Sequence, residues 1–278
     1  MPRNPIQYQK MSKKLQQMAL DELGIKSGRM RDLRVMAGSE STHAEIFKGL
    51  GGQRLEIEAM GRESRLETIF EGMGEGRFLD AFSRADWVVL SGESGLENLA
   101  DWGFALLEKV LPNAFPRDKR HFLVDLSRIP KLEGGPMAKA MEVARRLQAH
   151  GEVAMGFSGT TLNSAVEIIG GEGQSHMEHN LRSVREHFGT GSCGVFLSDG
   201  TYGIATEKDI LTQDGRNINT EKEPGKIPDV FFTTFCATGL IDIRHECRFP
   251  IAVAAAECQL SAKSNPSWVE IDAYIRQN

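Results

Sequence analysis

Short apolar runs alternate with amphipathic stretches over the second and third quarters of the chain. The apolar runs cover residues 87–90, 122–124, 153–157 and 194–197. Continuous apolar character is typical of strands that are covered on both faces. Between and beside these runs, helical spacing of apolar residues covers 96–111, 137–150, 162–169 and 177–188. This alternation predicts a three-layer α/β/α fold, with a mostly parallel central sheet and right-handed crossovers.

The two ends of the chain are less regular. In the first 84 residues the pattern predicts helices at 6–23 and 42–50 and strands at 33–36 and 55–60. After residue 200 it predicts strands at 201–206 and 230–235, a loop at 212–226, and helices at 251–260 and 267–276. We therefore expect a single α/β domain over residues 1–278, in which 85–278 form the core and 1–84 an atypical amino-terminal part.

The segment that follows the predicted strand 230–235 has the chemistry of a phosphate site. Small residues of the turn Ala237–Gly239 lead to Asp242 and then to an alanine-rich helical pattern. Free backbone N–H groups and the positive end of a helix dipole meet at such a helix start. Asp242 would alternatively be a simple capping residue.

Composition excludes several classes of protein. With a net charge of −5 the chain has no general attraction to nucleic acid or to an anionic membrane. Its apolar runs fall far short of the ~20 residues that span a bilayer, and residues 1–20 lack the apolar segment of a secretory signal. The four cysteines form no CxxC pair, which argues against a zinc site or a disulfide scaffold. A cytoplasmic location is the expectation.

The order of four segments resembles the ribokinase-like superfamily, in both its ATP-dependent and its ADP-dependent sugar-kinase branches. The segments are ADWVVLSG (85–92), FLVDLSR (122–128), GVFLSDGTYGIATEKD (194–209) and ATGLID (237–242). The last stands where the family carries a Thr-Gly-Ala-Gly-Asp motif. The resemblance covers roughly residues 85–262 and implies a ribokinase-like fold.

The resemblance also implies roles for particular residues. Asp242 would be the catalytic base, Thr238 and Gly239 would bind the transferred phosphate, and Asp199 and Gly200 would lie at the nucleotide. The expected metal set, which resembles the family's Asn-x-x-Glu motif together with a strand-end acid, is Asp125, Asn163 and Glu167. The cofactors implied are Mg²⁺ and either ATP or ADP as phosphate donor.

The function implied is phosphoryl transfer from a nucleotide to the alcohol group of a sugar-type substrate. The partners expected are that substrate, a nucleotide and a second copy in a homodimer, and neither nucleic acid nor membrane. Ile241 replaces a small motif residue, and Val166 stands at the motif's acid position. These departures keep open a binding or regulatory protein of the same fold that has lost catalysis. A third interpretation is a sugar-phosphate or isomerase site at 158–161, where Ser-Gly-Thr-Thr follows a strand.

Overall fold

The computed structural model describes fourteen segments of the chain. They are residues 7–8, 18–19, 45–48, 53–58, 74–85, 87–91, 96–114, 120–127, 129, 134–171, 176–214, 226–240, 243–261 and 268–277. The predicted strand 33–36 lies outside these segments.

The described residues form a nine-stranded sheet whose spatial order is β1-β9-β8-β7-β6-β5-β4-β3-β2. Its strands are β1 (Gln7–Tyr8), β2 (Glu45–Lys48), β3 (Gln53–Glu58), β4 (Trp87–Ser91), β5 (His121–Asp125), β6 (Glu152–Ser158), β7 (Ser192–Phe196), β8 (Tyr202–Thr206) and β9 (Ile210–Gln213). Strands β3 to β7 are parallel, and β8 turns back antiparallel to both of its neighbours.

Helices cover both faces of this sheet. They are α1 (Glu75–Arg84), α2 (Leu96–Ala105), α3 (Gly134–Leu147), α4 (Gly159–Ile168), α5 (Met177–Phe188), α6 (Lys226–Leu240), α7 (His245–Ser261) and α8 (Trp268–Gln277). A π-helical turn, Leu106–Val110, extends α2, and a 3-10 turn, Gln148–His150, extends α3. The predicted mostly parallel, three-layer α/β/α fold is confirmed.

Alternate residues of the buried strands face the two layers of helices. On β5, for example, Phe122 and Val124 pack against α2 to α5, whereas Leu123 belongs to the cluster under α6 and α7. On β6, Phe157 faces the layer of α2 to α5, and Ala154 faces the layer of α6 and α7. This period of two fixes which strand-end side chains share a layer.

Two predicted elements are wrong, and a third is wrong in part. The apolar run at 230–235 is not a strand but the middle of α6. A short run that is buried on all sides has no periodicity to separate a strand from a helix, and here the sheet lies on one side and α7 on the other. The stretch 42–50 contains strand β2 instead of a helix, because Ile46 pairs with Leu55 of β3 in an antiparallel hairpin. Of the predicted helix 6–23, Gln7–Tyr8 is strand β1 and 18–19 is helical.

Two glycines and one phenylalanine dock α6 on the sheet. Gly156 and Gly194 are paired on the neighbouring strands β6 and β7, and the ring of Phe232 lies over both. A Cβ atom at Gly156 would stand 2.9 Å from the ring, and one at Gly194 would stand 2.6 Å from it. Carbon atoms do not approach so closely, so any larger residue would push the helix away from the sheet.

We therefore expect Gly194→Ala to lower the free energy of unfolding by about 1–3 kcal/mol, the usual range for a core that is forced to take an extra methyl group. Denaturant unfolding measures this difference.

Gly76→Ala is the matched control, since Gly76 is exposed and a Cβ there would contact nothing within 4 Å. This control should be neutral or up to ~1 kcal/mol more stable. Equal stability of the two variants would contradict the docking role of Gly194.

Candidate functional site

The direction of α6 decides which end of the helix meets which edge of the sheet. Phe232 lies over Gly156, two residues before the carboxyl end of β6, whereas Phe235 borders a cleft with Glu152 and Ser192 at the amino ends of β6 and β7. The helix therefore runs from the carboxyl edge of the parallel strands to the amino edge. We call the carboxyl edge, with the loops that follow these strands, the carboxyl rim.

The first turn of α6 consequently reaches the carboxyl rim. Ile227 precedes Phe232 by five residues, or about 7.5 Å along a helix axis. From Gly156 to Ser158, the end of β6, is about 6.6 Å. Phe231 contacts Tyr202, the first residue of β8 at the same edge, with ring centroids 5.1 Å apart. A helix start has four free backbone N–H groups, and Pro228 lacks one of them. The others are thus brought to this edge.

Asp125 is an acidic strand-end residue on the same face of the sheet as α6. It ends β5 opposite Gly156 and is 4% exposed. Its Oδ1 accepts a hydrogen bond of 2.8 Å from the backbone N–H of Ser127. The absence of a side chain at Gly156 leaves room for both this carboxylate and the Phe232 ring, since a Cβ there would be 3.1 Å from Oδ1.

Ser158 and Thr161 form a reciprocal capping box at the start of α4. The Ser158 Oγ accepts from the Thr161 N–H at 3.2 Å, and the Thr161 Oγ1 accepts from the Ser158 N–H at 2.8 Å. The side chains that suggested a sugar-phosphate site therefore bind the backbone of their own helix. The capping spacing, S-x-x-T after a strand, is the sequence signal for this structure.

The predicted nucleotide residues Asp199 and Gly200 lie in the tight turn between β7 and β8, at the carboxyl rim. The Asp199 Oδ1 accepts from the Thr201 N–H at 2.8 Å, and the Gly200 N–H donates to the Leu197 carbonyl at 2.9 Å. Gly200 has φ +88°, the left-handed region that glycine adopts without strain. The turn residues have a structural task that does not depend on a ligand.

Thr238 and Gly239 do not lie in a turn at the carboxyl rim. Both belong to the end of α6, three and four residues beyond Phe235 and therefore at the amino edge. The Thr238 hydroxyl donates to the carbonyls of Thr234 and Phe235 at 2.9 and 2.8 Å. A Cβ at Gly239 would stand 2.8 Å from the Arg248 guanidinium. The structure thus separates these two residues from Asp125, while Asp242 lies outside the described residues.

The expected metal set is also not brought together. Asp125 faces the α6 layer, whereas α4, which carries Asn163 and Glu167, packs on the opposite face of the sheet. Both α4 side chains are exposed, and Asn163 accepts from the Asn180 amide at 3.4 Å. Among the described residues no three His, Cys, Asp or Glu side chains form a cluster that could hold a metal ion. As a set, the three residues do not fit a single Mg²⁺ site.

Sequence reasoning missed Asp229, which lies in the first turn of α6. The signal was available, because Pro228 is a frequent residue in the first turn of a helix and an acid there complements the helix dipole. A helix that starts at Lys226 leaves the apolar run 230–235 inside it.

Comparison with solved structures identifies the fold. The chain is similar to ribokinase from Thermotoga maritima, with a TM-score of 0.53 and 14% identity over 84% of this chain and 69% of that one. It is similar to a putative ribokinase II from E. coli in complex with ATP and Mg²⁺, with a TM-score of 0.52 and 12% identity over 72% and 61%. It is also similar to Arabidopsis thaliana ribokinase complexed with ribose and ATP. The TM-score is 0.50 and the identity 13%, over 72% of this chain and 59% of that one.

The chain thus has the ribokinase-like fold, as the order of its segments predicted. No protein-family model and no curated protein matches it. It spans from 59% to 69% of the three ribokinases above. No helix in the described segments is long and apolar enough to cross a membrane.

We expect Ser158→Ala to lower the free energy of unfolding by about 1 kcal/mol, because the N-cap hydrogen bond to α4 is lost. Ser164→Ala in the interior of the same helix is the control and should change stability by less than about 0.5 kcal/mol. Thermal and denaturant unfolding compare the two. A Ser158→Ala variant as stable as Ser164→Ala would mean that the capping box contributes nothing.

Proposed function

We propose that the protein is a small-molecule kinase, which moves the terminal phosphate of a nucleotide to the hydroxyl group of a sugar-type substrate. One observation carries this proposal: the first turn of α6 reaches the same edge and the same face of the sheet as Asp125. Ligands of parallel α/β sheets bind beyond the carboxyl ends of the strands, and a helix start there is suited to an anion. The sugar kinases of similar fold support the same conclusion.

In this proposal Asp229, and not Asp242, is the catalytic base. The resemblance to the superfamily calls for an acid at a helix start near the transferred phosphate, and α6 provides that start. Asp229 would accept the proton of the substrate hydroxyl as its oxygen attacks the terminal phosphorus. The bond from phosphorus to the leaving nucleotide then breaks. The N–H groups of the first turn would stabilise the charge on the transferred phosphoryl group.

The nucleotide would lie along the carboxyl rim beside the turn that holds Asp199 and Gly200. Magnesium in kinases is held mainly by nucleotide phosphates, with only one or two protein carboxylates. Asp125 would be such a carboxylate and would bind Mg²⁺ either directly or through water, because it is an acid at the carboxyl rim on the α6 side. Bound Mg²⁺ would neutralise phosphate charge, and Asn163 and Glu167 would have no part in holding it.

A second function, nucleotide binding without catalysis, is favoured by one feature of the same helix start. Pro228 removes an N–H group from the first turn of α6, so the turn has one donor fewer for a phosphate. A protein of this kind would act as a binding or regulatory partner.

We expect Asp229→Asn to lower kcat by about 10²- to 10⁴-fold, the range for loss of a general base, and to leave nucleotide affinity nearly unchanged. Turnover is measured with ATP and with ADP over a panel of sugars and nucleosides, and affinity by calorimetry.

Asp242→Asn is the matched control, since it changes the same chemical group at the originally predicted position. It should keep turnover within about twofold, a change of less than about 0.5 kcal/mol. Loss of turnover in Asp242→Asn together with full activity in Asp229→Asn would reverse the assignment. Nucleotide binding with no turnover on any acceptor would support the second function.

A further inference from the structure

A cleft of about 330 Å³ lies at the amino edge of the sheet, on the side away from the carboxyl rim. It is lined by Glu152, Ser192, Glu207, Lys208, Phe235 and Arg248, among others. This volume lies in the range of small-molecule sites. The proposed kinase function uses none of these residues, so the cleft needs an explanation of its own.

The side chain of Arg248 forms the inner wall of this cleft and is held in one position. Its Nε and Nη2 donate to the Phe235 carbonyl at 3.1 and 2.9 Å, and the guanidinium lies 4.4 Å from the centre of the Phe235 ring. The absence of a side chain at Gly239 provides the space beside Nη2, since a Cβ there would be 2.8 Å away. A fixed guanidinium loses little freedom when it binds an anion.

Among the described residues Arg248 has no direct hydrogen bond or ion pair to a carboxylate, although Glu152 at the same cleft acts on its charge. Its Nε and Nη2 both donate to the one carbonyl of Phe235. Burial lowers the pKa of the guanidinium, while Cys236 and Glu152 act in the opposite direction. Glu152 and the negative end of the α6 dipole therefore compensate this partly buried cation, but no carboxylate is hydrogen-bonded to it. An anion that entered the cleft would add a directly hydrogen-bonded countercharge.

The outer wall of the cleft is a built turn between β8 and β9, which presents Glu207 and Lys208. The Thr206 N–H donates to the Asp209 carbonyl at 2.8 Å, and the Thr206 hydroxyl makes two bonds of 3.1 Å to the backbone of Asp209. Lys208 therefore stands as a second cation at the cleft, on a turn that is held in shape by three hydrogen bonds.

Two carboxylates at the cleft restrict the charge of the ligand. Glu152, which lies 3.2 Å from the His121 Nδ1, and Glu207 are both exposed. A dianion such as a phosphate would be repelled by both. A monoanion that also carries hydroxyl or amino hydrogens would be attracted by Arg248 and Lys208 and would donate to Glu152 and Glu207.

We propose that this cleft is a second ligand site, which binds a small hydroxy- or amino-carboxylate through Arg248. The ligand carboxylate would accept hydrogen bonds from the guanidinium N–H groups that do not donate to the Phe235 carbonyl. Lys208 would add a second, more solvated contact.

The test titrates the protein, without nucleotide, with D-gluconate, D-glucose and inorganic phosphate. Gluconate should bind with shifts of the amide resonances of Gly191, Ser192 and Glu207, while glucose, which lacks the carboxylate, should not. Arg248→Met should weaken gluconate binding about tenfold or more, because a charge-assisted hydrogen bond is lost. Lys208→Met should weaken it about threefold, as expected for an exposed charge.

Arg182→Met is the matched control, since Arg182 is exposed on α5 in the other layer of helices, and should bind gluconate like the unchanged protein. Lys208 is exposed, so its variant tests the site even if Arg248→Met does not fold. Absence of gluconate binding, unchanged affinity in both cleft variants, or shifts confined to the carboxyl rim would overturn the proposal. Phosphate bound as tightly as gluconate would overturn the choice of ligand. Because no nucleotide is present, these outcomes do not depend on whether the protein is a kinase.

Discussion

The contact of Phe232 with the glycines of β6 and β7 is the constraint on which the rest of the structure depends. Gly156 and Gly194 are side by side in the sheet, and together they let the ring lie directly against the backbone. The contact sets the height of α6 over the sheet and its position along the strands. Since a helix is rigid over its length, fixing Phe232 also fixes the first turn of α6 at the carboxyl rim and its last turn at the amino edge.

The same helix therefore gives the two edges of the sheet opposite electrostatic character. Its amino end brings free N–H groups and the positive end of the dipole to the carboxyl rim. Its carboxyl end is bound by Arg248, whose guanidinium donates to the Phe235 carbonyl, a cation where the dipole is negative. Gly239 belongs to this second arrangement. It makes room for an arginine at the amino edge.

Gly156 also explains how the acid of the rim is held. A residue with a side chain at that position would contact both Asp125 and Phe232. The acid and the helix therefore share one space on one face of the sheet. On the other face, the capping box of Ser158 and Thr161 starts α4. The carboxyl ends of the neighbouring strands β5 and β6 serve different layers, so Asp125 and the helix that carries Asn163 lie on opposite faces of the sheet.

The sequence by itself determined the parallel centre of the sheet. The apolar runs at 87–90, 122–124 and 153–157 are strands in the structure. A strand that is buried on both faces is continuously apolar, and this pattern depends only on its own residues. The helix 177–188 was likewise predicted with its observed bounds. The order of the segments was enough to indicate the ribokinase-like fold.

Only the tertiary structure decided the state of 226–240 and hence the candidate site. A run such as 230–235 is apolar whether it is a strand or a helix between a sheet and another helix. Its helical state depends on Gly156 and Gly194, which are distant from it in sequence, and on the packing of α7, which follows it. Moving the helix start from the neighbourhood of Asp242 to Lys226 moves the anion site by the length of α6, from one edge of the sheet to the other. The local signal at Pro228 marks a helix start but does not say at which edge of the sheet that start lies, because contacts between segments decide this.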